Sequence, residues 1–358
     1  MKNNIFVHSF LFLATTTLIS CSNNTAEETD ANAGLYSQVL TNTSINVITD
    51  TYKSMNDNAT TLVTAVSNLT IGDEAELTAV KNAWMATRAP WEMSEGFLYG
   101  PVDTEGIDPA IDSWPVNVND INNILNSGNT ITSNLLENNN EARGFHTIEY
   151  FVWGLNGNKT AADLTTREVE YLTAAAQNLK SKTQQLYNGW VASQGNFANN
   201  FITAGQSGNL FYTSQKTALL EFVDGIITIA DEVANGKIET PLNGNAGSAM
   251  PEAEESRFSN NSKLDFANNI RSIQNIYLGD YNGTDGKGLT DVVALSNVTL
   301  DANIKAKITA AIVAIEDIPG TFTTAISINR AAVQNAQLKV GELQLLLDSS
   351  LKPLISNL

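Results

Sequence analysis

Apolar residues along the first part of the chain recur at helical spacing. Ile45, Ile48, Tyr52, Met55, Ala59, Leu62, Val66 and Leu69 follow one another in steps of three and four. That rhythm lines one side of a helix and predicts a bundle element closed by Gly72. A second helix is predicted from about Glu74, with Leu77, Val80, Trp84, Trp91 and Leu98 turned inward and a kink or restart at Pro90. Thr165 or Thr166 caps the next long helix, with Glu168 near its start and Val169, Leu172, Ala176, Leu179, Leu186 and Trp190 along its seam. In the second half Leu219, Val223, Ile226, Ala230 and Val233 form the seam of a helix from Ser214 to Asn235. Asn235-Gly236 is its expected C-terminal cap. A helix opened by Ser262 and Asp265 as an N-cap arrangement follows. Two more run from about Asp301 to Ile318, stopped by Pro319-Gly320, and from about 323 to 350.

The fold class this predicts is all-α, two packed helical bundles over residues 35–195 and 196–358, with 192–213 as the junction. Phe97-Leu98-Tyr99-Gly100 against Ile276-Tyr277-Leu278-Gly279 hints at an ancient duplication, which identity between the halves is too weak to prove. The stretches that break the seams are polar. Residues 102–117 read as a long irregular loop carrying Asp103, Asp108, Asp112 and Trp114, and loops of that length are often functional. Residues 236–251 are rich in Gly and Asn, and Glu254-Glu255-Ser256-Arg257-Phe258-Ser259 leads into the Ser262 helix.

The start of the chain is different in kind. Lys2 followed by an apolar run to Ile19 reads as a secretory signal over residues 1–20. Leu18-Ile19-Ser20-Cys21 resembles a bacterial lipobox, and Cys21 is the only cysteine. Lipidation of Cys21 would hold the protein on a membrane without spanning it. Residues 21–34, polar and acidic, are expected to be a tether. The expected location is the bacterial cell envelope, lipid-anchored, at the outer membrane. A net charge of −18, from 38 acidic and 20 basic residues, argues against nucleic acid as a partner. Loss of Lys2 with the signal would make it −19.

Removing the signal also removes His8, so His146 is the one imidazole of the mature chain. It lies in Arg143-Gly144-Phe145-His146-Thr147-Ile148-Glu149. On a helix His146 and Glu149 share a face and could grip one ion or one proton. Phe145, Ile148, Phe151 and Val152 would anchor the other faces. Arg88, Glu92 and Glu95 form a second polar face at helical spacing. A single cysteine excludes a thiolate zinc cluster, and a single histidine excludes a two-His zinc site. Gly283, Gly286 and Gly288 follow no strand and make no phosphate loop, and a Ser256/His146/Asp112 triad has no support in spacing.

Gly144-Phe145-His146-Thr147-Ile148-Glu149 matches the GxHxxE motif of the imelysin-like family, peptidase family M75. Trp84, Arg88, Trp91, Glu95, Phe97 and Gly100-Pro101 resemble its first conserved helix. Asp112-Ser113-Trp114-Pro115 resembles its following loop. Glu255-Ser256, Ser259, Ser262, Asp265, Asn269 and Tyr277-Leu278-Gly279 are similar to its C-terminal signature. The resemblance covers about residues 35–355. It implies a helical, two-domain envelope protein with a site between the domains, and links to iron acquisition. Any metal would be held by His146 and Glu149 with Glu92, Glu95, Asp112 or Glu255, a donor set suited to iron, manganese or calcium. Arg88 and Arg257 are the expected counter-charges. Gly144, Ser256, Ser259 and Asp265 complete the expected site. Three readings follow: a protein that binds iron or an iron-bearing ligand and assists iron-uptake proteins, a metallopeptidase, and a non-catalytic interaction module. Against the second, Tyr150 stands where an inverzincin needs its second histidine.

Overall fold

The computed structural model describes residues 31–358. The expected signal sequence and the expected lipidation site, Cys21, lie outside the described residues. Nine helices carry the architecture: α1 (Ala33–Asn42), α2 (Asp50–Ser67), α3 (Glu74–Glu92), α4 (Gly144–Trp153), α5 (Thr166–Trp190), α6 (Gln215–Glu232), α7 (Ser262–Leu278), α8 (Val298–Glu316) and α9 (Arg330–Leu346). Among the described residues the only β pairings are the isolated bridges Asn245–Ser248 and Tyr281–Thr284. The all-α expectation therefore holds.

The long helices form two rings. In the first, α2 packs on α3 and α5, and α4 packs on the same two. In the second, α6, α7, α8 and α9 pack in chain order and α9 closes back on α6. The rings meet where α3 and the turn after it lie against α6 and α7. Aromatic packing continues across the junction: Trp190 of α5 stacks on Phe201 at 6.0 Å, and Phe201 on Phe222 of α6 at 4.8 Å.

Local chemistry sets most boundaries as expected. Thr165 and Glu168 form a reciprocal capping box at the start of α5. Gly154, at φ 71°, ends α4, and Gly279, at φ 80°, ends α7.

Several expectations are corrected. Ala33 and Gly34 are already helical, so the expected tether over 21–34 does not extend to its last residues. Ile45 is 40% exposed, while Ile48 through Leu69 of the same seam are buried. It sits in a π-helical turn, Thr43–Thr49, whose extra residue per turn shifts the register of the stripe. Pro90 does not restart the helix: it lies in the last turn of α3, which ends at Glu92, so the helix stops before Leu98. The 102–117 loop holds two short helices, Pro101–Thr104 and Ile107–Ile111. Asn235-Gly236 does not cap α6, because a second π-helical turn, Val233–Ile238, carries the chain on into Glu239–Asn243. Ser262 is inside α7 rather than its cap, and its hydroxyl donates to Glu254 Oε1 at 2.6 Å. The last helix is broken at Asn329 and again passes through a π-helical turn at Leu347–Leu351.

Gly144 shows how tightly the fold positions the first ring. Its φ is 78°, and a Cβ there would run into the Ile111 carbonyl just before Asp112. Gly144→Ala is expected to destabilise the protein by more than about 2 kcal/mol, from the disfavoured backbone and the clash together. Urea unfolding checks this; an unchanged midpoint would contradict it.

Candidate metal centre

Four segments converge where the rings meet. The end of α3 and the turn after it bring Arg88, Trp91, Glu92 and Glu95, the end of Ile107–Ile111 brings Asp112, α4 brings His146 and Glu149, and the segment before α7 brings Glu255 and Ser259. Asp265 and Asn269 come from α7 itself. The side chains of Arg88, Glu92, His146, Glu149 and Asp265 are fully buried, Asp112 is 6% exposed and Glu255 12%.

Arg88 is the central cation. Its guanidinium pairs with Asp112 Oδ1, with Glu255 Oε1 at 2.6 Å and with Glu92 Oε1 at 2.5 Å, and its Nε lies 3.7 Å from Asp265 Oδ2. It also lies 5.1 Å over the Phe145 ring. Trp91 Nε1 donates to the second Asp112 oxygen at 2.6 Å.

His146 is oriented by a carboxylate on one side and faces two more on the other. Nδ1 faces Glu149 Oε2 at 3.0 Å. The other Glu149 oxygen accepts from both the backbone N–H and the hydroxyl of Ser259, each at 2.7 Å. Both oxygens of Glu149 are thus taken, which gives it the geometry of a carboxylate that fixes an imidazole. Nε2 lies 3.2 Å from Asp112 Oδ1 and 3.5 Å from Glu255 Oε1, within ion-pair reach of both. The edge of Trp114 packs against this ring, with centroids 4.9 Å apart.

Burial and Arg88 push the imidazole toward its neutral form. Asp112, Glu149 and Glu255 outweigh them and hold it well above its usual value. Burial works against charge on Asp112 too, but Arg88 and His146 keep it below the ordinary range. On Glu255 Lys237, His146 and Arg88 do the same, more strongly. Both carboxylates facing Nε2 are therefore ionised, and a bare lone pair between them is unfavourable. A proton or a metal cation must sit there.

The spacing fits a metal. Donors bound at about 2.1 Å stand about 3.0 Å apart at right angles and about 3.4 Å apart at a tetrahedral angle. The two Nε2–oxygen distances, 3.2 and 3.5 Å, fall close to these values. Asp112, His146 and Glu255 offer ligand atoms within 4.8 Å of one another, and so do Glu92, Glu95 and Asp112.

Sequence reasoning missed one principal member, Lys237. Its Nζ lies 3.0 Å from Glu95 Oε2, 2.9 Å from Glu255 Oε2 and 3.9 Å from Glu92 Oε2. Continuing the α6 seam past Val233 by four residues lands on Lys237, a signal hidden behind the expected cap. Asn269 is the second addition in the same place, donating to Glu92 Oε2 at 2.7 Å and Glu95 Oε2 at 3.0 Å. Arg257, expected as a counter-charge, instead lies over the Phe258 ring at 5.2 Å. The left-handed backbone of Ser256, at φ 53°, turns successive side chains apart, so Glu255 and Arg257 diverge. Asp265 accepts from Asn261 Nδ2 at 2.6 Å and backs Arg88 rather than facing Nε2.

The acid cluster has a consequence for stability. Burial raises Glu92 to about 8, Glu254 to about 7 and Asp265 to about 6, with Arg88 opposing on Glu92 and Asp265. These folded values exceed those of the unfolded chain, so the native state holds more protons and loses stability as pH rises through them. The stability due to Asp112 and Glu255, held low, is lost only at acid pH. The metal-free protein is therefore expected to show a urea midpoint that falls from pH 5 to pH 8. A midpoint rising over that window would contradict the burial of these carboxyls.

A family model described as Imelysin (peptidase M75) matches residues 48–348. Iron-regulated protein A of Synechococcus elongatus is 27% identical over 316 residues, 86% of this chain and 84% of that protein. Among solved structures, an iron-regulated protein A precursor from Parabacteroides distasonis superposes with a TM-score of 0.79 at 27% identity, over 92% of this chain and 96% of that one. An imelysin-like protein from Psychrobacter arcticum gives a TM-score of 0.73 at 16% identity, over 91% and 97% of the two chains, and shares the fold. With its GxHxxE helix set among the other three motif segments and the family match running over most of its length, the chain belongs to the imelysin family, peptidase family M75.

Proposed function

We propose that this protein binds one iron ion through His146 Nε2, Asp112 and Glu255, and serves iron uptake as a lipid-anchored protein of the bacterial envelope. The observation that carries the reading is the convergence on one point of the buried Nε2 and two ionised carboxylates, 3.2 and 3.5 Å from it. One imidazole nitrogen with two carboxylates suits Fe(II) or Mn(II), and the remaining positions are left for water or a chelating group. Glu149 fixes the ring, and Arg88 aligns both carboxylates from behind. The relatives named as iron-regulated point to iron over manganese. Anchoring at Cys21 accords with the lipobox, and no described helix is long and apolar enough to cross a membrane.

The metallopeptidase reading is weaker on geometry. Cleavage of a peptide needs a metal at the floor of an open groove. Here the most accessible of the three donors, Glu255, is 12% exposed.

Anaerobic calorimetry with Fe(II) on the mature protein tests the proposal. Binding of one ion per chain, with protons released from His146, is expected. No heat and no retained iron after gel filtration would end it.

A further inference from the structure

The two groups of potential ligands share Asp112 but differ in what already lies among them. The Asp112, His146 and Glu255 group surrounds the far nitrogen of the imidazole, with no other protein cation but Arg88 beside it among the described residues. In the Glu92, Glu95 and Asp112 group, a protein ammonium already stands beside two of the carboxylates. We infer that Lys237 is a tethered cation standing in the place of a second metal ion, and that it limits the centre to one. The inference rests on the metal-binding reading above.

The placement is specific. Lys237 Nζ contacts both oxygens of Glu95, at 3.0 and 3.2 Å, and Glu255 Oε2 at 2.9 Å. Its side chain is only 8% exposed. Glu255 therefore spans the two cations: Oε1 faces Nε2 of His146 and Oε2 faces the ammonium. Asp112 belongs to both groups, with Oδ1 toward Nε2 and Oδ2 accepting from Trp91 Nε1. Carboxylates that reach two positions are what paired metal ions use as bridges, at separations of about 3.5–4 Å. The remaining wall is polar: Asn269 Nδ2 reaches both Glu92 and Glu95, and its own Oδ1 is buried without a partner.

The backbone fixes this arrangement from both sides. Lys237 rides on the π-helical turn Val233–Ile238, an insertion that redirects one residue of a helix and is frequent at functional sites. Opposite it, Gly225 of α6 lets the backbone at Gly96, next to Glu95, approach closely, where a Cβ would meet the Gly96 carbonyl. Five carboxyl groups, Glu92, Glu95, Asp112, Glu255 and Asp265, face two permanent cations, Arg88 and Lys237. Removing the ammonium vacates the position it holds between the oxygens of Glu95 and Glu255, which are then placed for a metal. An ammonium keeps its oxygens near 2.9 Å, whereas a metal draws them to about 2.1 Å, so the two cannot share this space.

Manganese(II) is the probe, read by metal content after equilibrium dialysis and by electron paramagnetic resonance. Wild type at a tenfold excess is expected to hold one ion per chain with an isolated-ion spectrum. Lys237→Gln is expected to hold two, with an exchange-coupled spectrum, and Lys237→Arg to stay at one. A Gln variant that folds and holds one ion overturns the inference while leaving the metal-binding reading intact. A wild type that holds none overturns that reading and this one together. A wild type that holds two overturns the inference whether or not the variant folds. Should the variant not fold, one isolated ion in wild type at that excess supports it.

Discussion

His146→Ala is expected to lower iron affinity by more than about 100-fold while leaving a folded protein. The imidazole is the only nitrogen donor in the cluster, and Asp112 and Glu255 are already drawn toward Arg88. Without the ring they keep that partner and lose the third arm of the site. Glu149→Gln separates ligand from support. It keeps the ring in place but weakens the bond that makes it a good donor, and losses from such supporting partners are about 10- to 100-fold. Calorimetry on both variants, with far-ultraviolet circular dichroism for fold, checks the order. If Glu149→Gln proved as damaging as His146→Ala, Glu149 would belong in the ligand set after all.

Arg88→Met is expected to destabilise the protein by about 3–5 kcal/mol at pH 7, the usual cost of stripping a buried charge of its partner. Methionine keeps much of the volume, so the loss reports charge rather than a cavity. Arg88 is fully buried among Asp112, Glu255, Glu92 and Asp265, and no solvent can replace it. The deficit should shrink toward pH 5 as these carboxyls take up protons. Arg88→Lys should fall between, since it keeps the charge but a compact ammonium cannot span Asp112, Glu92 and Glu255 as the planar guanidinium fork does. Urea unfolding at the two pH values measures this. An Arg88→Met variant as stable as wild type at pH 7 would show that the carboxyls are neutral or hydrated there.

The long helices were legible because each needs one apolar stripe, and stripes survive in sequence as steps of three and four. Those steps carried α2 and α5 almost residue by residue. They failed at Ile45 and at Asn235-Gly236 for a shared reason. A π-helical turn inserts one residue without any characteristic side chain, so the stripe rotates and a residue pair that resembles a cap is carried through. Lys237 was lost with that second turn.

The site was legible to the extent that its chemistry is rare in this chain. His146, the one histidine among the described residues, with Glu149 a turn away, could be read directly. That Asp112 and Glu255 would face its far nitrogen could not. Their positions depend on how Ile107–Ile111 and the Glu254–Asn261 segment turn, and the left-handed backbone at Ser256 leaves no mark in composition. Arg257 shows the limit plainly: adjacent to Glu255 in sequence, it stacks on Phe258 instead.

Anomalous diffraction from crystals of the mature protein soaked anaerobically in Fe(II), collected across the iron edge, addresses the centre itself. One peak within bonding distance of His146 Nε2 and of an oxygen from each of Asp112 and Glu255 is the expected map, with Glu149 still on Nδ1. Iron elsewhere on the acidic surface, or His146 still hydrogen-bonded to carboxylates in saturated crystals, would contradict it.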